Sequence, residues 1–174
     1  MIRPADLGDI PAISAIYERI HDREEAGLTT IGWIRGVYPT EQTAREALAA
    51  GDLFVREEEG RILASARINK IQVPEYALVP WEHAATEDRV MVLHTLCVDP
   101  AEAGKGIGRE FVAFYETYAR SQGCPYLRMD TNRRNAAARA MYKKLGYREA
   151  EIVPCDFNGI PGIRLVCLEK YIGA

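Results

Sequence analysis

The stretch from Val90 to Arg109 constrains this chain more than any other. Val90 to Val98 is apolar throughout except for His94 and Thr95. Such a run suits a central strand buried on both faces, because neither side of it is built for water. Asp99-Pro100 ends it. Gly104, Gly106 and Gly108 then open a stretch where Ile107, Phe111, Phe114 and Tyr118 follow a helical period. A buried strand must therefore pass through a short glycine-rich loop into the start of a helix. Glycine lets a backbone approach a ligand closely and aim several N–H groups inward. A helix N-terminus adds partial positive charge. The loop therefore predicts a phosphate or pyrophosphate site, to which Lys105 and Arg109 could add charge. A glycine-rich turn with no ligand is the plainer account of the same residues.

Two common phosphate loops fit poorly. A Walker A loop needs Gly-x-x-x-x-Gly-Lys followed by Ser or Thr. Here Asp99 stands where the first glycine belongs, and Gly106 stands where the hydroxyl residue belongs. A dinucleotide fingerprint needs Gly-x-Gly-x-x-Gly directly after the strand, with an acid about 20 residues on. Asp130 could supply the acid. The third glycine comes one position early, however, and the residues from Asp99 to Ala103 intervene. Too little sequence follows Asp130 to complete a doubly wound sheet.

The rest of the chain supplies the frame. Ile13, Ile16, Tyr17 and Ile20 predict a helix over Asp9 to Ile20, with Pro11 in its tolerant first turn. A second helix is expected from Thr40 to Ala50, between Pro39 and Gly51. Leu53 to Arg56 and Arg61 to Ile68 read as strands joined by Glu57-Glu58-Glu59-Gly60, whose acids suit a solvated turn better than an ion site. Asn69 to Arg89 reads as a strand extension followed by a loop. Tyr126 to Asp130 is a short strand, Asn135 to Leu145 a helix closed by Gly146, and Tyr147 to Val153 and Arg164 to Glu169 are strands. A minimal first strand is available at Ile2-Arg3. This order predicts an α/β (α+β) fold with a central mixed sheet. No repeat or linker divides it, so residues 1–174 are expected to form one domain.

Composition excludes several functions. Lys and Arg number 22 against 25 Asp and Glu, a net charge of −3, which lacks the basic excess of a nucleic-acid binder. Arg133, Arg134, Arg139, Lys143 and Lys144 cluster locally. They could meet an adenosine phosphate or nucleic acid, but a solvated helix face is the simpler account. No apolar run approaches the roughly 20 residues that span a bilayer, and the N-terminus lacks a signal-peptide core. No membrane association and a cytoplasmic location are expected. Cys97, Cys124, Cys155 and Cys167 are far apart and form no Cys-x-x-Cys pair, so they read as buried apolar residues and no metal is expected.

A second segment joins the first. In Asn132-Arg133-Arg134-Asn135-Ala136-Ala137-Ala138-Arg139-Ala140-Met141-Tyr142-Lys143-Lys144-Leu145-Gly146-Tyr147, residues Asn135, Ala138 and Tyr142 share one helix face. An amide, a small residue and a phenol make an unusual core stripe but a suitable channel lining. A half-buried Tyr142 on an ordinary helix is the alternative. The two segments together resemble the two cofactor-binding motifs of the GNAT superfamily of N-acetyltransferases. Ile2-Arg3-Pro4-Ala5-Asp6-Leu7-Gly8-Asp9-Ile10 resembles that family's first strand and helix entry. Leu165-Val166-Cys167-Leu168-Glu169-Lys170 resembles its last strand.

The resemblance implies a mixed sheet flanked by helices, whose fourth and fifth strands splay apart around acetyl-CoA. It implies that Leu96, Cys97 and Val98 run beside the pantetheine arm, the backbone of Leu96 and Val98 pairing with it. Gly104, Lys105, Gly106, Ile107, Gly108 and Arg109 would hold the pyrophosphate. Asn135 and Ala138 would contact the cofactor, and Tyr142 would lie near its sulfur and protonate the departing thiolate. The family usually has Arg or Gln where this chain has Ala103, so that side chain's contribution is lost. Domains of this family often pair, so a homodimer is possible.

The acceptor amine, with a pKa near ~10, must lose a proton before attack. Strand alternation puts His94 on the side of Leu96 and Val98, and a reference value near ~6.5 suits it to base or water-relay work. A core histidine is the alternative. Asp130 and Asn132 could instead orient the acceptor. Trp33, Tyr38, Tyr76 and Trp81 are expected to build a pocket for a small amine with an apolar or aromatic part. A protein N-acetyltransferase and a non-catalytic acetyl-CoA sensor are the alternatives.

Overall fold

Seven strands form one mixed sheet in a computed structural model that describes residues 1–173. The elements are β1 (Ile2–Pro4), α1 (Ile10–Glu25), α2 (Glu41–Ala49), β2 (Leu53–Glu58), β3 (Arg61–Asn69), β4 (Val90–Val98), α3 (Ile107–Ser121), β5 (Tyr126–Asn132), α4 (Ala136–Lys144), β6 (Arg148–Phe157) and β7 (Ile160–Tyr171). The spatial order is β1-β2-β3-β4-β5-β7-β6. Only the β4–β5 pair is parallel.

The helices cover both faces. On one, Ile10, Ile13, Ile16, Tyr17 and Ile20 of α1 pack with α2 against Val55 and Cys97. On the other, Ile107, Phe111, Val112, Tyr115 and Ala119 of α3 pack against Met91, Leu93, Leu127 and Met129. Each fully buried aliphatic side chain contributes about 1.5–3 kcal/mol. The start of α1 is fixed by Arg3, whose guanidinium grips both carboxylate oxygens of Asp9 at 2.7 and 2.9 Å. All four cysteines are free and buried.

The element order matches the sequence-based expectation, and the differences lie at element ends. Helix α1 runs past Ile20 to Glu25 and stops just before Gly27, which has φ +69°. Strands β6 and β7 are longer than expected because Asn158-Gly159 closes them as a hairpin, with φ values of 48° and 86°. Asn-Gly is the strongest short hairpin signal, since both turn residues need positive φ.

Residues 70–89 form an irregular segment with two short 3-10 turns, Pro74–Leu78 and Glu87–Arg89. Arg128 and Glu169 face each other across β5 and β7 and anchor it. The Arg128 guanidinium stacks over the Trp81 ring at 4.2 Å. Glu169 accepts the Glu82 backbone N–H at 2.9 Å.

Tyr115 joins β4 to β5 from beneath. Its buried hydroxyl donates to the Met91 carbonyl at 2.6 Å, and the Arg128 carbonyl lies 3.2 Å away. Tyr115→Phe removes that donor from a dry site. The variant should lose about 1–3 kcal/mol of stability with no change in fold. Urea denaturation checks this, and an unchanged midpoint would mean that the hydroxyl holds nothing.

Candidate functional site

The site begins where two neighbouring strands stop pairing. Strands β4 and β5 pair from Val90↔Tyr126 to Leu93↔Met129 and no further. Asp130, Thr131 and Asn132 continue the ladder with β7 alone. The parting coincides with a bulge in β4. His94 pairs with Arg67 and Cys97 with Ser65, so β4 spends three steps where β3 spends two. The extra residue is accommodated at Thr95, which has φ +51°, an unfavourable conformation for a β-branched side chain. The Tyr38 hydroxyl hydrogen-bonds the Thr95 hydroxyl and helps to fix it.

The bulge corrects the expected placement of His94. An extra residue reverses the alternation of side chains beyond it. Leu96 and Val98 consequently join the α3 core with Met91 and Leu93, while Cys97 turns to the α1 core. His94 therefore does not share a face with Leu96 and Val98. The backbone is re-aimed as well. The Asp99 N–H donates to the Leu63 carbonyl at 2.8 Å, so the amides of Val98 and, two residues before, Leu96 point to the opposite edge, toward the gap.

Two cavities meet at this gap. A groove of about 770 Å³ runs between the α3 start and α4, lined by Val98, Gly104, Gly106, Gly108, Arg109 and Met141 among others. A smaller cavity of about 340 Å³ lies beside it, lined by Tyr17, Tyr38, Arg67, His94, Asp130 and Phe157 among others. Ile31, Trp33, Leu96, Ala138 and Tyr142 belong to both walls. The two spaces are thus one site with a waist at Tyr142.

In the groove the three glycines have different tasks. Gly104 and Gly106 have φ values of +81° and +85°, and Gly106 caps α3. Gly108 is ordinary helix, but a Cβ there would lie 3.2 Å from Met141 Sδ, so its task is close packing of α3 on α4. Arg109 makes no ion pair among the described residues, and its Nη2 lies over the loop, 3.4 Å from where a Gly106 Cβ would sit. Lys105 is not free as expected, because its Nζ is bound to Glu102 Oε2 at 2.7 Å. Cys97 and Ile107 line the groove but are buried in the two cores, so they offer backbone rather than side chain. Ala103 lines it too.

Asn135 also departs from expectation. Its Oδ1 accepts the Ala138 N–H at 3.2 Å and caps α4, and the residue lines the small cavity instead of the groove. Ala138 and Tyr142 sit at the waist. Tyr142 is 6% exposed. Burial, reinforced by Asp130 and Cys97, pushes its phenol above the usual value.

Four of the six expected acceptor residues, Trp33, Tyr38, Asp130 and Asn132, line the small cavity. Tyr76 and Trp81 do not. Tyr76 is buried behind Asp130 and donates its hydroxyl to Oδ2 at 2.8 Å. Trp81 packs edge-on against Tyr76 beneath Arg128. Trp81 is therefore an anchor of the irregular segment. The cavity has a roof, since Tyr38 meets Phe157 of the β6–β7 hairpin with ring centroids 5.2 Å apart, and Trp33 meets Tyr38 at 5.9 Å.

A model of the acetyltransferase (GNAT) family matches residues 15–147, which contain both segments of the groove. The chain belongs to this family. No curated protein sequence matches it. Among solved structures, an acetyltransferase of the GNAT family from Streptococcus agalactiae superposes with a TM-score of 0.82 at 22% identity, over 100% of this chain and 96% of that one. The structure of yncA from Salmonella typhimurium with its cofactor acetyl-CoA has a TM-score of 0.69 at 21% identity, over 99% and 94%. A ribosomal-protein-alanine N-acetyltransferase from Brucella melitensis has a TM-score of 0.71 at 23% identity, over 98% and 99%.

Several residues of this acetyltransferase's site escaped the sequence reading. Arg67 and Asn69 line the small cavity from β3, and their alternation with Ala66 and Ile68 was the available signal. Tyr17, part of the helical period of α1, lines the same cavity. Arg23 and Lys144 line the groove, and nothing local sets Arg23 apart. Among the described residues no cluster of three His, Cys, Asp or Glu side chains could hold a metal ion, and no helix is long and apolar enough to cross a membrane.

His94 does not keep the value near ~6.5 expected of its type. Burial, then the nearby Arg67 charge, lower it to about 4. Its Nε2 lies 3.0 Å from Asn69 Oδ1, which only accepts, so Nε2 carries the proton of a neutral ring. At neutral pH it is a weak proton acceptor. The unfolded chain binds a proton at this residue more readily than the folded one, so stability should fall as pH drops below ~6.5. The loss should end once the pH is below about 4. His94→Gln should lack this component. Urea denaturation of both proteins between pH 7.5 and 3.5 tests it, and a free-energy difference independent of pH would refute the buried neutral ring.

Proposed function

We propose that this protein transfers the acetyl group of acetyl-CoA to a primary amine of a small molecule with an apolar or aromatic part. The observation that carries the proposal is the shared waist: a groove built on a helix start opens at Leu96, Ala138 and Tyr142 into a roofed, aromatic cavity. Acetyl transfer needs two substrates to meet end to end, and this waist is where they would meet.

The chain's own groups suit each step. The Gly104–Arg109 turn leads into the positive end of α3, and the N–H groups of that helix's first turn can receive a pyrophosphate. Arg109 supplies a free cation there, and Arg23 and Lys144 add charge along the same walls. The gap-facing amides of Leu96 and Val98 suit the pantetheine arm, and an amide at that edge can hold the carbonyl oxygen as charge develops on it. Tyr142, kept protonated by burial, is the proposed donor to the departing thiolate. His94 forms part of the acceptor wall, and its neutral ring is poorly suited to removing the amine proton. The roof of Trp33, Tyr38 and Phe157 favours a small acceptor over a protein tail, which would need an open cleft. Trp33 and Tyr38 add faces suited to an alkylammonium or aromatic group.

Tyr142→Phe keeps the ring and removes only the proton. Turnover should fall about 10²–10⁴-fold with coenzyme A affinity unchanged. A variant with wild-type turnover, when chemistry limits the rate, would remove Tyr142 from the mechanism. Arg109→Ala should weaken coenzyme A about tenfold or more, since hydrogen bonds to charged groups contribute about 1.5–3 kcal/mol. Calorimetry checks this, and unchanged affinity would place the pyrophosphate elsewhere. The acceptor class is tested by thiol release with arylalkylamines, polyamines, amino acids and protein tails. Turnover confined to protein tails would overturn the small-molecule assignment.

A further inference from the structure

The small cavity contains a carboxylate with no cation. Asp130 stands at the first position of β5 beyond the last β4–β5 pair, Leu93↔Met129, and so at the root of the gap. Its Oδ2 accepts the Tyr76 hydroxyl at 2.8 Å. Its Oδ1 has no hydrogen-bond partner among the described residues, and no Lys or Arg of theirs lies within ion-pair distance. Asp130 is half-buried, and the fully buried acids of this protein differ from it. Asp9 is held by Arg3, Asp99 by Arg19, Glu102 by Lys105 and Glu169 by Arg148. A carboxylate partly withdrawn from water without a cation is costly. A cavity that keeps one beside Trp33, Tyr38 and Phe157 suits a cation with an apolar body.

We infer that Asp130 receives the ammonium of the acceptor through Oδ1 and takes its proton, with Tyr76 as the positioning residue that holds the carboxylate in place. This rests on the acetyl transfer proposed above and supplies the base which His94 does not. The protons balance. The ammonium gives one proton to Asp130, and the freed nitrogen pair bonds to the thioester carbon while the carbonyl pair moves to oxygen. Collapse of that intermediate breaks the C–S bond, and Tyr142 protonates the sulfur. The second nitrogen proton restores the Tyr142 phenol, directly or through water. Asp130 then releases its proton to solvent, so one proton leaves per turnover.

Burial supports the assignment by raising Asp130 to about 6, with Glu75 adding to the rise and the Tyr76 hydrogen bond opposing it. The carboxylate is then mostly ionised at neutral pH yet a better acceptor than an exposed one. Cys167 lies opposite it on β7, Cys155 on β6, Tyr38 before α2 and Tyr142 on α4. Burial raises all four of these groups above their usual values. His94 and Arg67 line the wall across the cavity, and His94 is lowered to about 4. None of these groups is placed to titrate near pH 6 in its stead.

The test uses 2-phenylethylammonium as the probe, with 2-phenylethanol as its uncharged control. The wild-type protein should bind the ammonium at pH 8 and lose affinity tenfold or more as the pH falls through about 6. Asp130→Asn should bind it at least tenfold more weakly, without that pH dependence, and bind coenzyme A as the wild type does. Its kcat/KM should fall about 10²–10⁴-fold and lose the acidic limb. Tyr76→Phe should move that limb to higher pH, because it removes a bond that favours the ionised acid; a purely structural tyrosine would lower activity and leave the limb in place. Wild-type ammonium binding by Asp130→Asn, or an acidic limb surviving in it, would overturn the inference. If Asp130→Asn also loses coenzyme A, Asp130→Glu decides: a restored limb upholds the carboxylate and a missing one overturns it. Ammonium binding that depends on Asp130, with no thiol released from acetyl-CoA by any amine, would refute the transfer while leaving the ammonium receptor standing.

Discussion

Everything at this site depends on the parting of β4 from β5. Four residue pairs hold the two strands together, and Tyr115 ties them from below through the Met91 and Arg128 carbonyls. The extra residue at Thr95 then turns β4 toward β3 alone. Backbone groups that would have paired across the two strands now face a gap, and such groups need partners. A ligand with an extended, amide-bearing arm can supply them. The same parting opens the space in which Tyr142 reaches down from α4 and Asp130 stands one position beyond the last β4–β5 pair. A β-branched residue at positive φ is costly. It persists here because α1, β3 and the Tyr38 hydroxyl hold the surrounding chain.

The frame was legible in the sequence because its signals are local. The buried run at β4, the helical period after Gly106 and the i, i+3, i+7 stripe of Asn135, Ala138 and Tyr142 all survive in the structure. What was missed depends on contacts between distant segments. Strict alternation put His94 beside Leu96, and one bulge residue, which no local pattern marks, reversed that. Trp81 and Trp33 look alike in sequence. Only the stack of Arg128 on Trp81 separates the anchor from the cavity wall. Asn135 lay on the expected face, but its oxygen serves the helix it caps. The Asn158-Gly159 turn is itself a local signal, and it carries Phe157 to the roof.

The irregular segment between β3 and β4 is bound to the chemistry through one side chain. Its outer part is held by Arg128 and Glu169, a charge pair across β5 and β7 that is satisfied by Gln72, Glu82 and Arg148. Its inner part presents Tyr76 to Asp130. A change that loosens Trp81 therefore reaches the cavity without touching it, by way of the Tyr76 carbonyl that accepts the Trp81 indole N–H at 3.0 Å. Loops that support a site in this way contribute position rather than contact.

The pairing of acids and phenols differs between the scaffold and the site. Buried acids on the scaffold are matched by arginines, and buried phenols such as Tyr115 and Tyr147 have hydrogen-bond acceptors. At the waist and in the small cavity beside it the pattern changes. Tyr142 is almost fully buried, yet its hydroxyl has no partner among the described residues, and Asp130 keeps one oxygen free. Among the described residues the buried polar atoms without a partner are His21 Nδ1 and Ser65 Oγ, so the Tyr142 hydroxyl and Asp130 Oδ1 stay accessible from the cavity. Two such groups on opposite sides of one gap, each shifted by burial away from its ordinary value, make sense as a donor and an acceptor whose partners arrive with the substrates.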